Sequence, residues 1–208
     1  QFVLASSASR MTTELLTERH GAPLLVTLSG PATRSALARQ VFAAGIETLN
    51  MAESNPDVTA VVLTGAGGHF CSGADLQHLK QQRHNLVAQG AQIEDFHQWI
   101  EALRSFPKPV IAAVEGMAAG GGMALALACD LIVASETARF CAHPTLAAMP
   151  PEGGLSHTLV RTVGRARALE IMWHTGNVPT QQLQQWGLVQ RLTPTGQAQT
   201  QALRWAEE

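Results

Sequence analysis

Two glycine-bearing loops are candidates for chemistry, because each directly follows a predicted strand. The first covers residues 69–76 (HFCSGADL), and the second ends in the three consecutive glycines Gly120–Gly122. Glycine lets the backbone approach a ligand without a Cβ in the way, and the free N–H groups of a following helix favour negative charge. Together the loops predict a pair of N–H groups that could stabilise an oxyanion. Each loop alone is equally compatible with a tight turn that packs a helix on a sheet.

Hydrophobic patterning predicts the elements that must position these loops. Short apolar runs predict strands, and apolar residues at helical spacing predict helices between them. Because most of the strands are apolar throughout, the pattern indicates an α/β domain with a largely parallel sheet covered on both faces. Residues 77–92 have no clear pattern and are predicted to be a mobile segment. Strands are predicted at 24–29, 59–64, 110–114 and 131–134, and helices at 35–53, 93–104, 123–129 and 197–208, with helices dominant after residue 151.

Composition narrows the possible partners. Of the 208 residues, 46% are hydrophobic and only 14% are charged, whereas an average soluble domain has about 25% charged residues. So little charge predicts a surface covered by another subunit. Fourteen basic and sixteen acidic residues give a net charge of −2 without blocks of like charge, which argues against a nucleic acid or a membrane surface as partner.

The location is expected to be the cytoplasm. Three cysteines are odd in number and lack metal-ligand spacing, so a disulfide framework is not expected. The longest uncharged apolar run, residues 116–129, is too short to cross a bilayer. Residues 1–10 lack the basic start of a signal peptide and are expected to be a vector-derived or disordered leader. One domain is predicted over residues 11–208, and its uncapped last helix predicts that a C-terminal helical part is missing.

The two loops lie in segments that resemble the enoyl-CoA hydratase/isomerase (crotonase) family. The segments read FCSGADL and KPVIAAVEG…AAGGG…CDLIVAS, and similarity extends from about Leu24 to Thr193. The resemblance implies a crotonase-like (ClpP/crotonase) ββα-spiral core with surrounding helices. It also implies an acyl-CoA thioester substrate and assembly as a homotrimer or hexamer. Because CoA is part of the substrate, no separate cofactor and no metal is expected.

The resemblance also implies roles for particular residues. The family's oxyanion hole consists of two backbone N–H groups, and the matching positions are Ala74 and Gly121. The family segments that hold the CoA moiety match the turn after Pro31 and the first glycine-bearing loop. The residues expected to bind substrate or CoA are therefore Ala32, Thr33, Arg34, Ser72, Ala74 and Gly121.

The chain departs from the family's hydratases in its carboxylates. Hydratases of the family keep two glutamates, but Ala124 occupies the first position and residues 142–146 (AHPTL) offer none near the second. Glu152 appears instead, in a place that resembles the single catalytic glutamate of peroxisomal-type isomerases. It ends an apolar stretch, and partial desolvation would raise its pKa and make it a competent base. The alternative is an acid placed at a helix N-terminus by the helix dipole.

One base suffices to take a proton from C2 and return it at C4. The favoured function is therefore isomerisation of a 3-enoyl-CoA to a 2-enoyl-CoA, with Glu152 as the base. Hydration, or another reaction of the family that proceeds through an enolate, stays open. A protein of a different class, a non-catalytic crotonase-fold binding or scaffold protein, is a further alternative.

Other polar residues have weaker claims on catalysis. Asp75 is expected to cap a helix, and Glu115, at the end of a strand, is expected to be structural. His143 and His157 flank the loop that carries Glu152 and are candidates for lining the pocket. Residues 65–70 (GAGGHF) lack the last glycine of a dinucleotide-binding fingerprint, and residues 154–158 (GLSHT) fall one glycine short of a nucleophile elbow.

Overall fold

A computed structural model, which describes residues 13–142, 150–173 and 178–208, contains a six-stranded sheet in the order β1-β2-β3-β4-β6-β8. Strand β1 runs antiparallel to β2, and each following pair is parallel. Two further strands, β5 and β7, form a small parallel sheet of their own. The strands are β1 (Glu14–Arg19), β2 (Leu24–Ser29), β3 (Val61–Gly65), β4 (Val110–Val114), β5 (Met117–Ala119), β6 (Leu131–Ser135), β7 (Arg139–Cys141) and β8 (Arg191–Thr193).

Helices connect and cover these strands. In the described ranges they are α1 (Arg39–Ser54), α2 (Leu76–Gln81), α3 (Leu86–Ser105), α4 (Gly121–Ala128), α5 (Leu155–Val163), α6 (Arg165–Trp173), α7 (Thr180–Gln185) and α8 (Ala198–Glu207), with a 3₁₀ turn at Pro31–Thr33. Among the helices in these ranges, none combines the length and the apolar character that a membrane span requires.

Both faces of the central strands β3, β4 and β6 are buried, and alternate side chains of each strand point to opposite faces. On one face, strand residues such as Leu63 share the larger core with Phe42 of α1 and Trp99 of α3. On the other face, a smaller cluster forms under α8, whose Ala198 and Ala202 pack against the sheet. The sheet residues of that cluster are Leu25, Val62, Ile111, Ala113 and Val133. The expectation of a mainly parallel sheet covered on both faces is confirmed.

The apolar strands lie where the sequence predicts them, and the largest error concerns residues 77–92. These residues are not irregular: α2 and the first turns of α3 cover most of them. Leu86 and Val87 are 76% and 84% exposed, so these turns lack the buried stripe that reveals a helix in a sequence. The sequence analysis also missed β1, β5, β7 and β8, of which the last three have only three residues each.

Glu115, at the end of β4, connects the sheet to the last helix. Its Oε1 accepts the N–H of Ala198, the first residue of α8, at 3.0 Å. The contact joins residues 83 positions apart and satisfies one of the backbone donors that a helix leaves free at its N-terminus. Glu115 therefore has the structural role expected for it.

A glycine in α1 tests the packing of the larger core. A Cβ built on Gly45 would overlap the indole of Trp99, which is 1% exposed. We expect Gly45→Ala to destabilise the protein by about 1–3 kcal/mol, the usual cost of overpacking, measured by urea denaturation. The matched control is Gly90→Ala in α3, where an added Cβ meets nothing within 4 Å; it should stabilise by about 0.4–1 kcal/mol. Equal effects of the two changes would contradict the tight fit of Gly45.

Candidate functional site

The first glycine-bearing loop lies along β5, the strand that leads into α4. The N–H of Cys71 donates to the carbonyl of Met117 at 2.9 Å, and the N–H of Ala119 donates back to the carbonyl of Cys71 at 3.0 Å. At Gly73, with φ of +86°, a Cβ would lie 2.5 Å from the Ala119 carbonyl oxygen and 3.4 Å from the Gly121 nitrogen. A glycine is therefore required here, and it brings the two glycine-bearing loops into contact.

Ala74 and Gly121 present their backbone N–H groups at this contact. Ala74 forms an isolated bridge with Leu37, and in the described part of the chain no protein oxygen accepts its N–H. Gly121 is the first residue of α4, an apolar helix that is buried along nearly its whole length. Because the first N–H groups of a helix have no partner within the helix, that of Gly121 is available to a neighbouring acceptor. The structure thus places together the two residues that the sequence pairs.

Glu152 is held beside Gly121 by the packing of the residue that follows it. Gly153 has φ of +61°, and a Cβ there would lie 2.7 Å from the Ala124 Cβ and 2.8 Å from Phe96 Cε1. The chain can therefore approach α3 and α4 this closely only with glycine at position 153. As a result, Oε1 of Glu152 lies 2.8 Å from the point where a Cβ of Gly121 would be.

Burial is the main influence on the Glu152 carboxyl. Desolvation raises its pKa above the ordinary value of 4.5, whereas a hydrogen bond from the Gly121 N–H and the charge of His97 lower it; the net shift is upward. The desolvation expected from the apolar sequence around Glu152 is therefore present. A carboxylate that is short of water but still ionisable is suited to accept a proton from carbon.

The buried thiol next to this carboxyl is not a nucleophile. Burial raises the pKa of Cys71 to about 12; a hydrogen bond from the Gly73 N–H opposes the shift, and the nearby Glu152 charge adds to it. Because the thiolate is the reactive form of cysteine, Cys71 stays protonated and unreactive near neutral pH.

A cavity of about 440 Å³ opens directly in front of Glu152 and Ala74. This volume is within the range of small-molecule sites. Its wall is mainly apolar, with residues from α1, α2 and α3 such as Phe42, Leu79 and Phe96. A smaller cavity of about 40 Å³ shares Ala74 and Glu152 with it. The arrangement offers two N–H groups and one carboxyl at the end of an apolar chamber.

The residues expected to hold CoA come together next to this chamber. Ser72 donates through its Oγ to the carbonyl of Thr33 and through its N–H to the carbonyl of Arg34, both at 3.0 Å. Ala32 and Arg34 are exposed, so the Arg34 guanidinium is accessible to an anion. The 3₁₀ turn and the first glycine-bearing loop, which carry Ala32, Thr33, Arg34, Ser72 and Ala74, are therefore in direct contact.

The structure gives a different outcome for each of the remaining polar candidates. Asp75 caps α2 as expected, since its carboxylate accepts the N–H groups of Gln77 and His78 at 3.0 Å each. His157 is exposed on α5 and is not among the described residues of the chamber wall, so the structure does not support it as a pocket candidate. His143 lies outside the described residues.

The sequence analysis missed His97, which lines the chamber from α3. It belongs to the face of α3 on which Phe96 and Ile100 are buried. The available signal was a histidine at helical spacing within an otherwise apolar face. Without knowing that this face borders a chamber, such a histidine could not be distinguished from an ordinary partly buried one.

Comparison with known proteins identifies a family for the chain. A model of the enoyl-CoA hydratase/isomerase family matches residues 18–208. The chain is 33% identical over 200 residues to the enoyl-CoA hydratase EchA19 of Mycobacterium tuberculosis, covering 93% of this chain and 73% of that protein. It is 36% identical over 197 residues to the 2,3-dehydroadipyl-CoA hydratase of Escherichia coli, covering 94% and 75% respectively.

A solved structure shows the same fold. The crystal structure of an enoyl-CoA hydratase from Polaromonas sp. JS666 has a TM-score of 0.90 and 43% sequence identity, and it covers 93% of this chain and 76% of its own. With its crotonase fold and its acyl-CoA family signature, the chain belongs to the enoyl-CoA hydratase/isomerase family.

The raised pKa of Glu152 predicts a dependence of stability on pH. A carboxyl whose pKa is higher in the folded than in the unfolded state stabilises the fold at low pH, and this contribution is lost as pH rises through the folded value. Glu152→Gln has no such loss, so its stability relative to wild type should increase as pH rises above 4.5. Urea denaturation at several pH values measures this difference.

The matched control for this prediction is Glu94→Gln, which makes the same change at an exposed position of α3. It reports the part of the effect that does not depend on burial. The upward shift of the Glu152 pKa would be contradicted if Glu152→Gln lost stability relative to wild type as pH rises.

Proposed function

We propose that this chain is an enoyl-CoA isomerase, which moves a double bond from C3 to C2 of an acyl-CoA through a thioester enolate. Glu152 removes a proton from C2 and returns it at C4. The observation that carries this proposal is the single carboxylate of the chamber wall in the described residues, Glu152, beside the N–H of Gly121. A shuttle between two carbons needs one group that can accept and release a proton, and a partly buried carboxyl can do both.

Among the described residues of the chamber wall, the absence of a second carboxylate favours isomerisation over hydration. Ala124 occupies the helix position where hydratases that the chain resembles carry a glutamate. Its Cβ faces Gly153, next to Glu152, so a carboxylate at position 124 would enter this site. Water addition requires one proton to leave water and another to reach C2. A single carboxyl such as Glu152 is better suited to moving one proton from C2 to C4 than to carrying out both of these transfers.

The developing charge on the thioester oxygen requires hydrogen-bond donors. We assign this role to the N–H groups of Ala74 and Gly121, which supply an oxyanion hole at the end of the apolar chamber. The Gly121 N–H acts on the Glu152 carboxyl and lowers its pKa. When the thioester oxygen takes over this N–H, Glu152 loses a stabilising partner, and its carboxylate becomes a stronger base. Substrate binding thus prepares the base that acts on it.

The CoA moiety is proposed to bind along Ala32, Thr33, Arg34 and Ser72, outside the chamber. Backbone groups of the 3₁₀ turn and the first glycine-bearing loop would contact the pantetheine and the adenine, and Arg34 would approach the phosphates.

Assembly as a trimer or hexamer is proposed as well. The low fraction of charged residues in the chain supports it, because part of the surface would then be covered by other subunits.

Hydration of 2-enoyl-CoA is the second candidate function. The observation in its favour is that the relatives described above are named as hydratases. Assays of the purified protein with 3-hexenoyl-CoA and with 2-hexenoyl-CoA distinguish the two functions. Faster conversion of the 3-enoyl thioester supports isomerisation, and faster hydration of the 2-enoyl thioester would reverse the assignment.

The base is tested by Glu152→Gln. The amide keeps the shape of the side chain but cannot accept a proton from carbon, so isomerisation of 3-hexenoyl-CoA should fall by about 10²–10⁴-fold, the usual contribution of a general base. Binding of acetyl-CoA, measured by calorimetric titration, should survive. Isomerisation at the wild-type rate in the variant would exclude Glu152 as the base.

The oxyanion hole is tested by Gly121→Ala. The added Cβ would lie 2.8 Å from Glu152 Oε1 and 3.0 Å from Leu37 Cδ1, the ends of two movable side chains, so the fold should persist. Because the methyl group displaces both the carboxylate and the thioester oxygen, kcat/KM should fall by up to about 10²–10³-fold. Gly90→Ala, which adds a methyl group in open space, is the control. An unchanged kcat/KM in a folded Gly121→Ala variant would place the hole elsewhere.

A further inference from the structure

The chamber wall contains a second titratable side chain that the proposed isomerisation does not use. His97 lines the same chamber as Glu152. In the part of the chain that the structure describes, these two are the only titratable residues of that wall. His97 is partly buried, whereas its neighbour Phe96 is 3% exposed.

The position of His97 is fixed by the packing of that neighbour. A Cβ on Gly121 would lie 3.3 Å from Phe96 Cζ, and a Cβ on Gly153 would lie 2.8 Å from Phe96 Cε1. The Phe96 ring therefore packs against both the start of α4 and the segment that carries Glu152. Its centroid is 6.4 Å from that of the His97 ring. His97 directly follows Phe96 on α3 and lines the chamber together with Glu152.

Among the described charged groups near His97, Glu152 is the one that lines the same chamber. The charge of His97 acts on the Glu152 carboxyl, and α4, which also packs on α3, carries no titratable side chain along its sequence GGMALALA. On α3 itself, Asp95 is paired with Arg39 of α1, and Glu101 is paired with Arg104. Within the described residues, Glu152 is thus the acidic group that shares the chamber with His97.

Adding water to a 2-enoyl-CoA requires two proton transfers. The water oxygen bonds to C3, the C2–C3 double bond supplies the electron pair of the enolate, the water gives up one proton, and C2 gains another. A residue that acts on C2 can supply the second proton, but a separate group must accept the first. Ala124 offers no such group.

We infer that His97 is a second acid–base residue, which accepts the proton of the attacking water and gives the site a hydration activity beside isomerisation. The unprotonated imidazole takes one proton as the oxygen bonds to C3, and protonated Glu152 delivers its proton to C2. The product gains one H and one OH, and the proton on His97 returns to Glu152 through solvent. This inference rests on the role proposed for Glu152 at C2.

The experiment compares hydration of 2-butenoyl-CoA with isomerisation of 3-hexenoyl-CoA in the same preparations. In His97→Gln, which keeps a hydrogen-bonding side chain but cannot accept a proton, the ratio of hydration to isomerisation should fall by about 10²–10⁴-fold. The matched control is His157→Gln, which removes an exposed histidine outside the chamber. This control should keep the wild-type ratio. An unchanged ratio in His97→Gln, or a wild-type protein that does not hydrate, overturns the inference.

Chemical rescue separates a proton-transfer role from a purely structural one. His97→Ala leaves space in the chamber wall, and added imidazole should restore its hydration but not that of Glu152→Gln. Failure of rescue, together with equal losses of both activities in His97→Gln, would reduce His97 to a structural residue. Hydration that depends on both residues, in a protein without isomerisation, would instead refute the proposed isomerase and leave the role of His97 standing.

Discussion

Close approach of two backbone segments is the constraint on which the site depends. The loop after β3 and the turn into α4 touch through their main chains, and Gly73 is needed because a Cβ there would meet the Ala119 carbonyl. Gly153 imposes the same condition on the segment after Glu152. Backbone donors placed in this way do not depend on side-chain rotamers, so they need little reorganisation when charge develops. The parallel sheet and its buried helices hold the segments at this distance.

Side chains around that backbone frame determine which reaction can follow. The imidazole of His97 and the carboxyl of Glu152 line the same chamber, and the methyl group of Ala124 lies against Gly153, next to Glu152. Desolvation acts on the carboxyl in the direction opposite to the hydrogen bond from Gly121 and the charge of His97. Desolvation, the hydrogen bond and the charge are separate effects on the pKa of Glu152. A substrate that takes over the Gly121 N–H would therefore change the proton affinity of Glu152 without any movement of the fold.

Much of the fold and part of the site could be predicted from the sequence, for identifiable reasons. The buried strands are marked by apolar runs and Glu152 by its apolar context, whereas Ala74 and Gly121 were named from the resemblance of the two glycine-bearing loops to the family. Three-residue strands such as β5 carry too little pattern, and the exposed first turns of α3 hide a helix. His97 could not be predicted because its location in the chamber wall depends on tertiary packing. The sequence does not reveal that α3 packs against the start of α4.

The coverage of the second sheet face by α8 has a consequence for how the chain matures. The strands of the main sheet pair in the order in which they occur along the chain, so pairing can proceed as the polypeptide is synthesised. Leu25, Val62 and Ile111, however, are buried against α8, which follows every strand of this sheet in the sequence. Until α8 docks and Glu115 caps it, that face is an apolar surface open to other molecules. Nascent chains are therefore most vulnerable to aggregation in this interval.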